Sequence, residues 1–441
     1  MTLTSNLQPI QVHEVELAGA IPPISGVNPQ TGARYQRALS LVRLHSQPLG
    51  AVDVTLGSNG LTADALAAQI WGALGAQIND HLRRDGLPEI TALTADGLPP
   101  TGTPTCLELR AALQAGAPRV SVVVATHNRT ESLVTTLNSL LDQDYPNFEI
   151  IVVDNAPSSD ATADTVRQIA SQHPHVRYAR EDRPGLAVAH NRGLQDVTGE
   201  FVAFTDDDVI ADRHWLAEIV RGFHGTDNVA CVTGLIFPGE LETPAQLLSE
   251  QYGGFAKGFA IRIFDRDEHR LDNPLYPYAV GPVGSGANMA FRTSALLDMN
   301  GFDPSLGAGS LGVGGDDLAA FHQVITRGYR LVFQPAAIVR HWDPREYASL
   351  QKRAYGYGVG LTAYLTKCLV DKPWLIFDIA IRVPYGLVYL LAPQSHKNRK
   401  KQQDYPRELN LMERKGMLYG PVAYLRSRWH ARKTLKSVPT A

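Results

Sequence analysis

Residues 119–156, RVSVVVATHNRTESLVTTLNSLLDQDYPNFEIIVVDNA, decide the fold. RVSVVVAT is a short, nearly unbroken apolar run, which reads as a strand buried on both faces rather than one alternating between core and water. TESLVTTLNSLLDQ then spaces its leucines as an amphipathic helix does, and FEIIVVDNA is a second buried strand. The alternation continues with a helix at about 160–172, a strand at VRYARE, a helix at GLAVAHNRGLQDV and a strand at EFVAFTDDD. Four strands separated by helices predict an α/β fold with a Rossmann-like, doubly wound parallel sheet. Ligands of such sheets meet the carboxyl ends of the strands. Here those ends carry Thr126 to Arg129, Asp154 with Asn155, and the triplet Asp206, Asp207 and Asp208.

The chain has 441 residues, more than one ordinary core holds, so appended units are expected around this segment. With 44% hydrophobic and 19% charged residues it has the composition of a soluble globular protein. Residues 1–34, rich in Pro, Gly and polar side chains, read as an irregular arm. Residues 35–96 read as a small α+β accessory domain: a hairpin turning at Pro48-Leu49-Gly50, then a helix that Thr62 caps and Gly86 ends. Residues 97–117 read as a linker, 118–345 as the catalytic domain and 346–441 as a basic, mainly helical tail. The tail carries 17 Lys plus Arg against 6 Asp plus Glu, a net +11 that leaves −14 for the rest of a chain of net charge −3.

Three cysteines, Cys106, Cys231 and Cys368, are odd in number, far apart and without C-x-x-C spacing. They argue against a disulfide framework or a structural zinc site and fit a reducing cytosol. No basic-then-apolar leader opens the chain, and the apolar stretch 373–393 is interrupted by Asp378, Arg382 and Pro384, so it suits an interface better than a span.

Three adjacent aspartates at the mouth of a strand repel one another unless a cation is near. D-x-D spacing puts Asp206 and Asp208 on one side of an extended segment, suited to a hard divalent cation, Mg²⁺ or Mn²⁺, that bridges to phosphate oxygens. The plainer reading is that one of them caps the following helix. Further on, GVGGDDLAAF delivers Asp316 and Asp317 to a helix start, as an N-cap or as an exposed general base. The strand RLVFQPAAIVRH ends in His341, either a structural histidine or one that completes a metal shell. The first strand–helix turn carries no G-x-G-x-x-G, and no G-x-x-x-x-G-K-[ST] is present.

In order along the chain stand VSVVVATHNR, IIVVDNAPSSD, RPGLAVAHNRGL, GEFVAFTDDDV, GSGANMAFRTSALLDMNGFDPSLG, GGDDLAAFHQVITRGYRL and PAAIVRHW. This ordered set resembles family 2 glycosyltransferases of the GT-A fold over about residues 118–345. The resemblance implies an inverting enzyme that uses a nucleotide-sugar donor. Thr126, Asn128, Arg129 and Asp154 would line the nucleotide site, together with Asp206, near the ribose, and Asp207. Asp208 would hold Mn²⁺ or Mg²⁺, with His341 a further ligand, and Asp317 would be the catalytic base beside Asp316. The family commonly has Glu-Asp where this chain has Asp316-Asp317, so Asp316 is the departure. No Q-x-x-R-W motif is evident, which points to single-sugar, non-processive transfer to a glycan, lipid-linked or small-molecule acceptor, as in polysaccharide biosynthesis, with UDP-sugar the expected donor.

Two other readings use the same residues. In a haloacid-dehalogenase-like phosphatase Asp206 would be a nucleophile, but residues 258–351 lack the lysine that chemistry needs. A catalytically inactive nucleotide-sugar or glycan-binding protein would have no use for Asp208 and Asp317. For the tail, aromatic residues interleaved with Lys and Arg suit an anionic membrane surface, or else a helical subdomain packed on the core. No nucleic-acid motif accompanies the charge, so nucleic acid is not an expected partner. The expected location is the cytoplasm, or peripheral attachment at the inner face of the cell membrane.

Overall fold

The computed structural model describes residues 7–28, 32–99, 102–252, 254, 256–395, 397–398, 401 and 405–436. Its N-terminal part contains β1 (Ile10–Glu16), β2 (Arg37–Leu44), β3 (Gln47–Thr55) and α1 (Ala63–Arg84), followed by α2 (Thr105–Ala115). Next come β4 (Val120–Thr126), α3 (Thr130–Leu141), β5 (Phe148–Asn155), α4 (Ala161–Gln172), β6 (Val176–Glu181), α5 (Leu186–Leu194) and β7 (Phe201–Asp206). The remainder of the sheet region is β8 (Val209–Ala211), α6 (Trp215–His224), β9 (Val229–Pro238), α7 (Pro244–Gln251), β10 (Arg262–Phe264), β11 (Asn288–Arg292), α8 (Thr293–Asp298), α9 (Asp316–Thr326) and β12 (Arg330–His341). Three long helices close the chain: α10 (Tyr347–Asp371), α11 (Leu375–Leu391) and α12 (Arg407–Lys436).

The four strands expected from the buried apolar runs are present, parallel and in the order β6-β5-β4-β7. All seven residues of β4 are buried, because helices cover both faces of the sheet. Val123, Ile151 and Phe204 pack on one side and Val122, Ile150 and Ala203 on the other. Beyond β7 the sheet stops being purely parallel: β11 runs antiparallel between β7 and β9, β12 runs parallel to β9, and β8 and β10 run antiparallel to β12. Strand order reverses at β4, which lies between β5 and the later β7. That is a topological switch point, where loops leave in opposite directions and open a crevice.

Three local expectations are corrected. The segment 1–34 contains a strand: β1 pairs in parallel with β2, Ile10 opposite Arg37 through Glu16 opposite Arg43. Its residues are mostly half-buried, so no buried run announces it. The hairpin turns at His45-Ser46, not at Pro48-Leu49-Gly50. Both residues take left-handed backbone angles (φ 53° and 68°), which a two-residue turn matching strand twist requires. Pro48 lies within β3 beside a register shift, where a missing N–H costs no ladder bond. The segment 97–117 holds helix α2, fixed by Arg110, whose guanidinium donates to Glu218 on α6 at 2.9 and 3.1 Å with both partners buried.

The tail is helical, and α10 and α12 lie against one another at glycine contacts. A Cβ on Gly358 would come within 1.9 Å of the Glu413 carbonyl, and one on Gly416 within 2.1 Å of the Tyr355 carbonyl. Helix α11 differs: none of its residues is buried, and Phe377 and Ile381 are 75% and 70% exposed. Among the described residues no helix is long and apolar enough to cross a membrane.

Candidate active site

The crevice at the switch point is built by the ends of β4, β7 and β12. Strand alternation sends the three aspartates two ways. Asp206 and Asp208 share one side with His341, and their ligating atoms lie within 4.8 Å of one another. Register delivers the histidine there, because β8, directly after the triplet, pairs antiparallel with β12 and sets His341 opposite Val209. Asp207 points the other way, buried, with Oδ2 accepting from Thr126 Oγ1 at 2.6 Å and Oδ1 from Arg129 Nη1 at 2.8 Å. Arg129 Nη2 donates to Asp208 Oδ2 at 2.9 Å. The resemblance implied that Asp207 and Thr126 line the nucleotide site. In the structure Asp207 and Thr126 fasten β7 to β4, and Arg129 is a built-in counter-ion for two of the three charges.

The charge on the other side is less well compensated. Burial, and Asp208 beside it, push Asp206 up to about 6. Asp208 Oδ1 is buried and accepts no hydrogen bond, with His341 Nε2 3.5 Å away. Burial alone would lower the His341 imidazole, but Asp343, Asp208 and Asp206 carry it above its ordinary range. Asp343 Oδ1 lies 3.3 Å from His341 Nδ1 and also pairs with Arg353 of α10. Although burial opposes it, that company holds Asp343 well below the usual carboxylate range. A carboxylate behind the outer nitrogen of a histidine fixes its orientation and leaves the inner nitrogen for a ligand. Sequence reasoning missed Asp343 and Arg353, although the H-x-D spacing in HWDP was a usable signal.

Two short carboxylates and an imidazole suit a hard or borderline divalent cation. The unbonded Asp208 oxygen and the raised Asp206 are what such an ion would relieve, so the residues present fit one.

The β4 and β5 loops form the adjoining wall. Asn128, with left-handed backbone (φ 54°), accepts at Oδ1 from the N–H and hydroxyl of Ser158, both at 2.9 Å. Asp154 is fully buried: Oδ2 accepts from the Tyr178 hydroxyl at 3.0 Å, Oδ1 accepts no hydrogen bond, and burial raises its pKa. Asn155, placed at a strand end but given no role from sequence, ties the wall to α5 by accepting from Gly185 N at 2.9 Å and donating to the Arg183 carbonyl at 2.7 Å.

The acid pair enters from α9. Gly315 precedes it with φ 82°, a left-handed turn that costs glycine little. Asp317 is held by two backbone donors, Leu318 N at 2.7 Å and Gly286 N at 3.1 Å. Asp316 is buried, and burial followed by the charge of Asp317 pushes it up to about 7. Asp206 also contributes to that rise, so the start of α9 and the end of β7 share one electrostatic environment.

Residues 121–297 match the family model described as Glycosyl transferase family 2. That segment carries a glycosyl transferase family 2 domain. The matched segment holds the triplet and the wall formed by the β4 and β5 loops, while Asp316, Asp317 and His341 lie beyond it. Among curated relatives, Glycosyltransferase AglE of Haloferax volcanii is 26% identical over 274 residues, 61% of this chain and 79% of that protein. The Glucosyl-dolichyl phosphate glucuronosyltransferase of the same organism is 25% identical over 197 residues, 43% of this chain and 57% of its own length. Apart from AglE, the matched segments span 57% or less of the relatives compared. A solved structure, the mannosyltransferase PcManGT of Pyrobaculum calidifontis in complex with GDP-Man and Mn²⁺, aligns with a TM-score of 0.42 at 22% identity, over 73% of this chain and 76% of that one.

Proposed function

We propose that this transferase moves a single sugar from a nucleoside-diphosphate sugar, a UDP-sugar in the first instance, to a hydroxyl acceptor, with inversion at the anomeric carbon and a divalent cation, Mn²⁺ or Mg²⁺, bound by Asp206, Asp208 and His341. The observation that carries this reading is the gathering of those three residues at the switch point, close enough to the Asp316–Asp317 pair for Asp206 to be felt there.

In this reading the nucleoside lies across the ends of β4 and β5, over the buried Asp154, and Arg129 is the guanidinium that would meet phosphate. The bound cation supplies charge neutralisation for the departing diphosphate. Asp317 accepts the proton of the acceptor hydroxyl as that oxygen bonds to the anomeric carbon and the bond to the diphosphate oxygen breaks. Its two backbone donors aim the carboxylate, and burial keeps it basic enough to take a proton. Asp316, beside it, is pushed up to about 7 by burial and by the charge of Asp317.

Binding and hydrolysis across UDP-, GDP- and dTDP-sugars, with and without Mn²⁺, test the assignment. A donor that binds only with metal, weakens in Asp208→Ala, and binds but is not turned over in Asp317→Asn supports it. A chain that binds no nucleotide sugar under either condition overturns it.

For the acceptor, one curated relative's name includes a dolichyl-phosphate-linked sugar, which favours a lipid-linked hydroxyl. The apolar outer surface of α11, in a tail of net charge +11, suits an anionic bilayer from which such an acceptor would be presented. Flotation with phosphatidylglycerol vesicles but not phosphatidylcholine ones, lost in a Phe377→Glu, Ile381→Glu double variant, is the expected result. Equal behaviour of both vesicle types and both proteins removes the membrane from the account.

A further inference from the structure

A second cluster lies far from the switch point in the primary structure and has no part in the chemistry above. His45 stands in the β2–β3 turn, His81 and Asp85 at the end of α1, and Cys106 in the first turn of α2. All four are buried, none more than 8% exposed, and their ligating atoms lie within 4.8 Å of one another.

The contacts converge on one carboxylate oxygen. Asp85 Oδ2 is 2.8 Å from His45 Nδ1, 3.1 Å from His81 Nε2 and 3.0 Å from Cys106 Sγ, and the two ring nitrogens are themselves 3.1 Å apart. Hydrogen bonds alone cannot satisfy that triangle. If both rings donate to Asp85, two N–H groups face each other. If His45 donates to His81, the lone pair of His81 Nε2 faces the carboxylate. Every arrangement of protons on neutral rings leaves one short edge mismatched, in a place that water does not reach. A cation at the centre satisfies all four lone pairs at once.

We propose that His45, His81, Asp85 and Cys106 form a closed, structural zinc site. Two imidazoles, one thiolate and one carboxylate are the donor types zinc takes, and the sulfur and nitrogens select it over Mg²⁺ or Mn²⁺. Tetrahedral bonds of about 2.0–2.1 Å to N and O and about 2.3 Å to S separate ligand atoms by about 3.3–3.6 Å, so the short edges of the cluster need to open by at most roughly half an ångström. With four protein ligands and no open position the site binds no substrate. It joins the hairpin, α1 and α2, and α2 in turn grips α6 through Arg110 and Glu218. Asp85 Oδ1 is already anchored by Cys106 N at 3.0 Å, which orients the carboxylate.

The test uses the full chain carrying Asp208→Ala, so that metal at the switch point is not counted. After growth with added zinc and gel filtration in a chelator, mass spectrometry of the metal content is expected to give one equivalent of zinc. X-ray absorption at the zinc edge is expected to show one sulfur neighbour beside lighter ones. Adding Cys106→Ser is expected to abolish the sulfur signal and lower both zinc content and Tm. If that variant does not fold, metal content and absorption of the Asp208→Ala chain decide alone. A folded, reduced chain that neither retains zinc nor takes it up when zinc is added overturns the site, as does bound zinc with no sulfur neighbour.

Discussion

Both metal-suited clusters among the described residues contain acid and histidine side chains, and they differ in what encloses them. At the switch point Asp206 and Asp208 are only half-buried, an arginine already offsets part of their charge, and the ends of three strands and a helix leave the crevice open. In the N-terminal unit His45, His81, Asp85 and Cys106 are all buried, with a sulfur among the donors. The first arrangement keeps charge exposed to a ligand, as catalysis needs. The second fixes covalently remote segments in one place, as a fold needs. An open cluster should therefore answer to substitution in rate and affinity, and a closed one in stability.

The largest effect falls on the open side. Asp317→Asn is expected to lower kcat by about 10²–10⁴, the usual worth of a general base, with donor affinity unchanged. A variant that keeps its turnover would move the base elsewhere. Next comes the closed side: Arg110→Ala leaves Glu218 buried with less compensation and is expected to cost about 3–5 kcal/mol in denaturant unfolding. Donor affinity of the folded fraction should be unaltered, and a parallel loss of donor binding would erase the distinction between the regions.

Smaller is Asp343→Asn. It loosens the His341 ring from behind and is expected to weaken Mn²⁺ binding by about 10–100-fold, measured by calorimetry, with little change in Tm without metal. The smallest effect is on pH. Because burial raises the Asp317 carboxylate, turnover is expected to rise with pH along a limb that lies above the usual carboxylate range. Asp316→Asn removes the like charge and should move that limb down by about one unit. The sign for stability is opposite. Asp316 binds its proton more tightly folded, at about 7, than unfolded, at about 3.9. Its contribution is thus present below pH about 4 and lost as pH rises toward 7. Comparing Tm against pH for native protein and Asp316→Asn isolates it, since the variant lacks that decline.

How much of this was legible in the sequence follows from how each feature is encoded. The strands β4, β5 and β7 were readable because strands covered on both faces must be apolar at nearly every position. β1 was not, since its half-buried residues carry no such run and its partner begins at Arg37. α2 was hidden behind prolines and glycines and owes its place to the Arg110–Glu218 contact. In the candidate site, D-x-D spacing placed Asp206 and Asp208 together, while the same alternation sent Asp207 to Thr126 and Arg129, a pairing invisible without the neighbouring strand.

The cysteine reading shows the boundary between the two sources. Spacing rules looked for cysteines close together and found no zinc motif, because the partners of Cys106 are contributed by a turn and a helix end elsewhere in the chain. Sequence by itself determined the parallel layers and which carboxylates could reach a strand end, since both follow from periodicities of two and 3.6 residues along one segment. Only the tertiary structure decided which side chains from separate segments meet: His341 with Asp208, Asp343 behind it, and His45 with His81, Asp85 and Cys106. Those meetings depend on register and packing between elements, and no local spacing records them.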